Sequence, residues 1–86
     1  MYEVYIENSA QRDLKKLSVD DFYRIISHIK NLAENPRPSG CRKLVDSKGD
    51  WRIRIGDYRV IYEIDDKEKL INIMPVKRCP KAYRNL

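Results

Sequence analysis

Three arginines crowd into one short segment, Arg52, Arg54 and Arg59, within W-R-I-R-I-G-D-Y-R-V-I-Y at positions 51–62. A guanidinium stays charged at any accessible pH, and its planar fork of donors matches two oxygens of a phosphate. Gly56-Asp57, flanked by alternating apolar residues, is a two-residue hairpin signal. That loop sets Ile55 opposite Tyr58, Arg54 opposite Arg59, Ile53 opposite Val60 and Trp51 opposite Tyr62. One face then collects Trp51, Ile53, Ile55, Tyr58, Val60 and Tyr62, which is a core face. The other collects Arg52, Arg54, Arg59 and Ile61. A favourable cross-strand pair contributes roughly 0.2–1 kcal/mol, whereas like charges directly opposite destabilise. Folding alone gives no reason for Arg54 to face Arg59.

The next turn extends the pattern. A two- or four-residue loop around Asp66-Lys67 sets Val60 against Ile73, Tyr62 against Ile71 and Arg59 against Met74. Alternation through Val76 then carries Arg78 to the arginine face, so that four arginines from adjacent strands, about 4.8 Å apart, form one phosphate-binding surface. The structural alternative is an ion-pair network with Glu63, Asp57 or acidic loop residues. Trp51 belongs to the core, and His28 lies on the flank of a helix and is solvated. Tyr83 either stacks on a base or packs the tail down. Cys79 has no His or Asn placed to make it a nucleophile.

The elements that must hold these residues are few. Val4 and Ile6 alternate with Glu3, Tyr5 and Glu7, the pattern of a short strand. Asn8 or Ser9 caps a helix through Ala10, Leu14 and Leu17. Ser18 and Asp21 form a capping box for a second helix, whose Phe22, Ile25, Ile26, Ile29, Leu32 and Ala33 make an apolar stripe ended by Asn35-Pro36. The loop that follows carries a short strand at Lys43–Val45, before strands at Trp51–Ile55, Tyr58–Ile64 and Leu70–Val76. The expected fold is α+β: an antiparallel sheet, one N-terminal strand plus a three-stranded C-terminal meander, with the helical hairpin packed on one face.

Composition narrows the function classes. The 86 residues are 36% charged and 42% hydrophobic, too apolar for a disordered chain. The length predicts a single domain, 1–86. There is no apolar run of membrane-spanning length and no signal-peptide pattern, so a cytoplasmic protein is expected. Cys41 and Cys79 form no metal-ligand spacing, so no metal is expected. Of the formal +5 charge, residues 51–86 contribute +4 (nine basic, five acidic), which favours a polyanionic partner.

The string W-R-I-R-I-G-D-Y-R-V-I-Y, the preceding helical hairpin, the loop ending in Lys43-Leu44 and the closing I-M-P-V-K-R-C-P-K-A-Y together resemble the RelE/ParE superfamily. These are the toxin halves of bacterial and archaeal type II toxin–antitoxin pairs, and the resemblance covers essentially the whole chain. It implies a RelE-like toxin domain that cleaves mRNA on the ribosome, the ribose 2′-OH attacking the adjacent phosphate, with no metal and no small-molecule cofactor. Carried over by position, the catalytic residues are Arg54, Arg59, Arg78 and Tyr83, and the RNA-binding residues Arg52, Lys77 and Lys81. Many relatives have lysines where this chain has Arg52 and Arg54, and a His where it has Lys77. Arginine cannot accept a proton, which leaves Lys77, Lys81 and Tyr83 as candidates for the general base.

On this resemblance Arg54 and Arg59 clamp the scissile phosphate, Arg78 assists, Arg52 holds a neighbouring phosphate, and Tyr83 stacks on a base or helps move a proton. The partners implied are a cognate antitoxin protein, mRNA and the ribosome, with no membrane. Two alternatives stand beside it. One is a ParE-like toxin that poisons DNA gyrase without nuclease activity, and the other is a non-catalytic RNA- or ribosome-binding module.

Overall fold

The computed structural model describes residues 1–44 and 49–78. In chain order the elements are β1 (Glu3–Ile6), α1 (Asn8–Lys15), α2 (Val19–Leu32), β2 (Arg42–Lys43), β3 (Asp50–Ile55), β4 (Tyr58–Asp65) and β5 (Leu70–Arg78). They form one five-stranded sheet in the order β1-β5-β4-β3-β2, with both helices against one face. The α+β architecture is as expected. The sheet, however, is mixed rather than antiparallel: β1 runs parallel to β5, pairing Val4 with Ile71 and Ile6 with Ile73. The helical hairpin between β1 and the rest of the sheet supplies the long connection a parallel pair requires.

Helix α1 buries Ala10 and Leu14 and is shorter than its pattern suggests. Its N-cap is Glu7, rather than Asn8 or Ser9, and no side chain caps it. The end of β1 fixes this residue, because the Glu7 N–H donates to the Ile73 carbonyl at 3.1 Å. Its carboxylate accepts from Asn72 Nδ2 at 2.5 Å. Helix α2 starts as expected, with Ser18 Oγ accepting from the Asp21 N–H at 3.2 Å. Its stripe buries Ile25, Ile29 and Leu32.

These meet the inner sheet face, where Ile53, Ile55, Val60, Tyr62, Ile71, Ile73 and Val76 complete the core. Tyr62 is fully buried, and its phenol donates to the Pro36 carbonyl at 2.9 Å. Burial pushes the acidity of that phenol well out of reach, so Tyr62 is a structural donor. Trp51 is half-buried against the core as expected, with the Arg37 guanidinium 5.1 Å from its ring centroid. Arg37 also forks onto Asp66 at 2.9 and 3.4 Å, and the Tyr2 hydroxyl donates to the same carboxylate at 2.6 Å. Three distant segments are clamped there, including the chain that leads into β2.

The register of β5 departs from expectation in one consequential way. The β4–β5 loop has four residues, with Asp65 paired to Leu70, Ile64 to Ile71 and Tyr62 to Ile73. Val60 therefore does not face Ile73, nor Tyr62 Ile71; the pairing is two residues further along, which preserves the core face. Beyond Ile73 a bulge intervenes, and the next pair is Val60 with Val76. Met74 and Pro75 thus oppose the single residue Ile61. Pro75 has no N–H to give the ladder with β4, and the extra residue takes up the defect. The Val76 N–H just beyond it donates to Asp13 Oδ2 of α1 at 3.2 Å.

Candidate nucleic-acid interface

The outer face of the sheet carries no helix. The β3–β4 hairpin closes as the sequence predicts, with Ile55 opposite Tyr58, Arg54 opposite Arg59 and Trp51 opposite Tyr62. Gly56 turns it with φ +60°, the conformation a type II′ loop asks of its first residue. A Cβ there would also sit 3.0 Å from Arg24 Nη1. The exposed Arg24 side chain can swing aside, so it is the positive φ that requires glycine at this tip.

The bulge decides which residue of β5 joins the arginines. Arg59 pairs with Lys77, not Met74, and Tyr58 pairs with Arg78. Directly paired residues share a face, so Lys77 lies in the row Arg54–Arg59–Lys77. Arg78, expected on the arginine face, falls instead on the Tyr58 side at the exposed end of the strand. The expected alternation through Val76 fails because Val76 itself is buried in the core.

A second row was not foreseen in full. Arg52 faces Ile61 on one side, as expected, and Arg42 of β2 on the other. Arg42 therefore joins the same surface, making five cations in two rows: Arg42–Arg52 and Arg54–Arg59–Lys77. Its role was hidden because the pairing of a two-residue strand across a loop leaves no periodic signal. The available clue was a basic residue beside the expected strand at Lys43–Val45, which forms at Arg42–Lys43; Val45 lies outside the described residues. Asp13 was missed as well, since only the bulge gives it a purpose.

The side chains of this surface are poor in protein partners. Arg54 Nε donates to the Gly56 carbonyl at 3.2 Å, which turns it back over the hairpin tip. Arg59 Nε is buried and has no hydrogen-bond partner. A buried guanidinium donor without an acceptor costs stability, so Arg59 is not placed there by the demands of packing. The ion pairs Arg24–Asp21 and Arg37–Asp66 lie elsewhere on the molecule and use no cation of the two rows. Tyr83 and Lys81, the remaining expected site residues, lie outside the described residues, as does Cys79.

Comparison with known proteins gives the chain its relatives. Residues 4–83 match the family model described as ParE toxin of type II toxin–antitoxin system, parDE. The chain is 33% identical to toxin RelE of Mycobacterium tuberculosis over 84 residues, 96% of this chain and 87% of that protein. It is 30% identical to the putative toxin RelE1 of Methanocaldococcus jannaschii over 87 residues, covering 98% and 97% of the two chains. In three dimensions it is similar to the archaeal RelE–RelB complex from Pyrococcus horikoshii, with a TM-score of 0.80 at 30% identity over 90% of this chain and 93% of that one.

Proposed function

Because the chain belongs to the RelE/ParE family of toxins of type II toxin–antitoxin systems, we propose that it is a ribosome-dependent mRNA endoribonuclease that blocks translation. The observation that carries this is the row Arg54–Arg59–Lys77, with Arg59 Nε buried and unpartnered. In the reaction the ribose 2′-oxygen bonds to the adjacent phosphorus as the bond from phosphorus to the 5′-oxygen breaks. Negative charge grows on the phosphoryl oxygens between those two events. Arg54 and Arg59 clamp that phosphate and stabilise the charge, since preorganised donors act most strongly where charge develops. Arg42 and Arg52, one row away, hold a neighbouring phosphate and fix the register of the strand.

Lys77 is the base candidate among the described residues, next to Arg59 on the row where the 2′-hydroxyl proton must leave. Arg78 contacts the strand from the margin, and Tyr83 and Lys81 keep the stacking and binding roles implied by resemblance. The partner that silences the toxin is a cognate antitoxin, as the assembly of the Pyrococcus relative with RelB suggests. Among the described residues no helix is long and apolar enough to cross a membrane.

The match to the ParE model favours a second reading, a gyrase-poisoning toxin without nuclease chemistry. One assay separates the readings: translation in vitro with the toxin added, followed by primer extension on the mRNA. Discrete cuts at ribosome-occupied codons are the expected result. Intact mRNA with translation blocked would make this a binding module, and unimpeded translation with a gyrase-dependent DNA-damage response would make it a gyrase poison.

A further inference from the structure

The open sheet face does not end with its cations. Towards the β4–β5 turn, the row Tyr5–Asn72–Glu63 crosses β1, β5 and β4, and the next row carries Leu70 and Asp65. Tyr5, Glu63, Asp65, Leu70 and Asn72 line an open cleft of about 320 Å³. Tyr5 is 70% exposed, an aromatic ring that contributes little to the core yet sits beside the apolar Leu70. The charged groups of the cleft, Glu63 and Asp65, are both carboxylates. Asn72 donates one amide N–H to Glu7 and keeps its Oδ1 and a second N–H. Asp65 is fixed by the turn, one oxygen accepting from the Lys67 and Glu68 N–H groups at 3.0 Å each. Glu63 is exposed, and among the described residues no cation pairs with it.

Two carboxylates beside an aromatic ring and an apolar patch repel a phosphate and suit a flat neutral ring with donors on its edge. The cleft also lies on the same face as the arginines, Glu63 being four residues along β4 from Arg59, about 13 Å. A strand whose phosphate rests on Arg54 and Arg59 can reach it with a nearby base. We infer that this cleft is a nucleobase subsite that selects guanine in the bound RNA, with Tyr5 stacking on the ring and Glu63 accepting from its Watson–Crick edge. Guanine alone among the RNA bases puts a ring N–H and an amino group side by side there, a pair that a carboxylate takes with both oxygens. Uracil flanks its one N–H with carbonyls that the carboxylate repels. This rests on the proposed RNA-binding function and adds base specificity to it.

The test is binding of the full chain to fluorescent RNA hexamers that differ only in guanine, inosine or uracil at each position, with salt varied. Inosine keeps the ring N–H and loses the amino group. At one position guanine is expected to bind roughly 5- to 100-fold tighter than uracil, with inosine between. Glu63→Gln, on an exposed site facing Asp50 across the ladder, should fold normally, erase that preference and keep the salt dependence. Tyr5→Ala should weaken all bases at that position alike. Salt-dependent binding without base preference, or a preference that Glu63→Gln leaves intact, overturns the subsite while the phosphate surface stands. If no RNA binds at any salt, both fail. If Glu63→Gln changes only self-association or antitoxin binding, the cleft holds a protein cation and the inference is wrong.

Discussion

One strand pair carries two opposite charges at its two ends. Near the hairpin tip of β3 and β4, Arg54 faces Arg59; four residues away, Asp50 faces Glu63. Each is a like-charged pair, where opposite charges directly across a ladder would attract. Charge on the outer face is thus sorted along the strands, basic at the tip and acidic towards the β4–β5 turn. The inner face shows no such conflict: Ile53, Val60, Tyr62, Ile73 and Val76 are buried and apolar throughout. Stability is built on one side of the sheet and chemistry is exposed on the other. On the chemical side the basic half suits phosphate, and the acidic half suits a base.

The contrast is broken most severely at the tip. Arg59→Gln removes a donor from the developing charge, so mRNA cleavage should fall roughly 10²–10³-fold. The same change relieves repulsion with Arg54, so stability should hold or rise by up to about 1 kcal/mol. Thermal melts and the cleavage assay on the same samples check both signs. A destabilised but fully active variant would make the arginine part of the scaffold.

The bulge yields a sharper comparison between neighbours in sequence. Lys77→Met should lower cleavage about 10²-fold, the scale of a lost general base, whereas Arg78→Met should cost only a few-fold. Equal losses would mean that the faces of β5 are not divided as described. No imidazole lies on the two cationic rows, so the pH profile should show no inflection near about 6.5. An inflection there would mean that a different base acts.

Asp13 tests how the bulge is held. Asp13→Ala strands the Val76 N–H and should destabilise the fold by about 1–2 kcal/mol. It should also lower cleavage, by loosening the row that contains Lys77. Urea unfolding measures the first effect, and single-turnover cleavage the second.

The smallest effect is electrostatic, at the clamp that joins the acidic turn to the loop leading to Arg42. Arg37 above all, and then the Tyr2 hydroxyl, hold the Asp66 carboxyl below its ordinary value. A lowered folded value stabilises the protein above the unfolded pKa of about 3.9, and that contribution disappears as pH falls through the folded value. The melting temperature should therefore drop slightly more steeply below about pH 4 in wild type than in Asp66→Asn. Solvent screening keeps the difference small.

Much of this was legible in the residues. Gly56-Asp57 specifies a two-residue loop, a loop of known length fixes every pair in the hairpin, and so Arg54 and Arg59 could be placed opposite each other without a structure. The stripe of α2 and its Ser18 cap were equally local. Three features were not so transparent. The parallel pairing of β1 depends on where a long connection returns, which no local pattern encodes. The register of β2, and with it Arg42, rests on only two paired residues. The displacement of Arg78 by Lys77 did have a signal, Pro75 within an interior strand, because a residue without an N–H in such a place demands a bulge. The motif V-K-R therefore places its lysine, not its arginine, on the face of Arg54 and Arg59.

The claim on which the rest depends is that the basic half of the open face binds the phosphates of a single strand. Titrating a short unstructured RNA against the full chain between about 50 and 200 mM salt measures this directly. Five cations, Arg42, Arg52, Arg54, Arg59 and Lys77, each neutralising one phosphate, predict a slope of log K against log salt of about −3.5, at roughly −0.7 per contact. Arg42→Gln should make the slope shallower by about 0.7. A slope near zero for the wild-type protein would contradict the account.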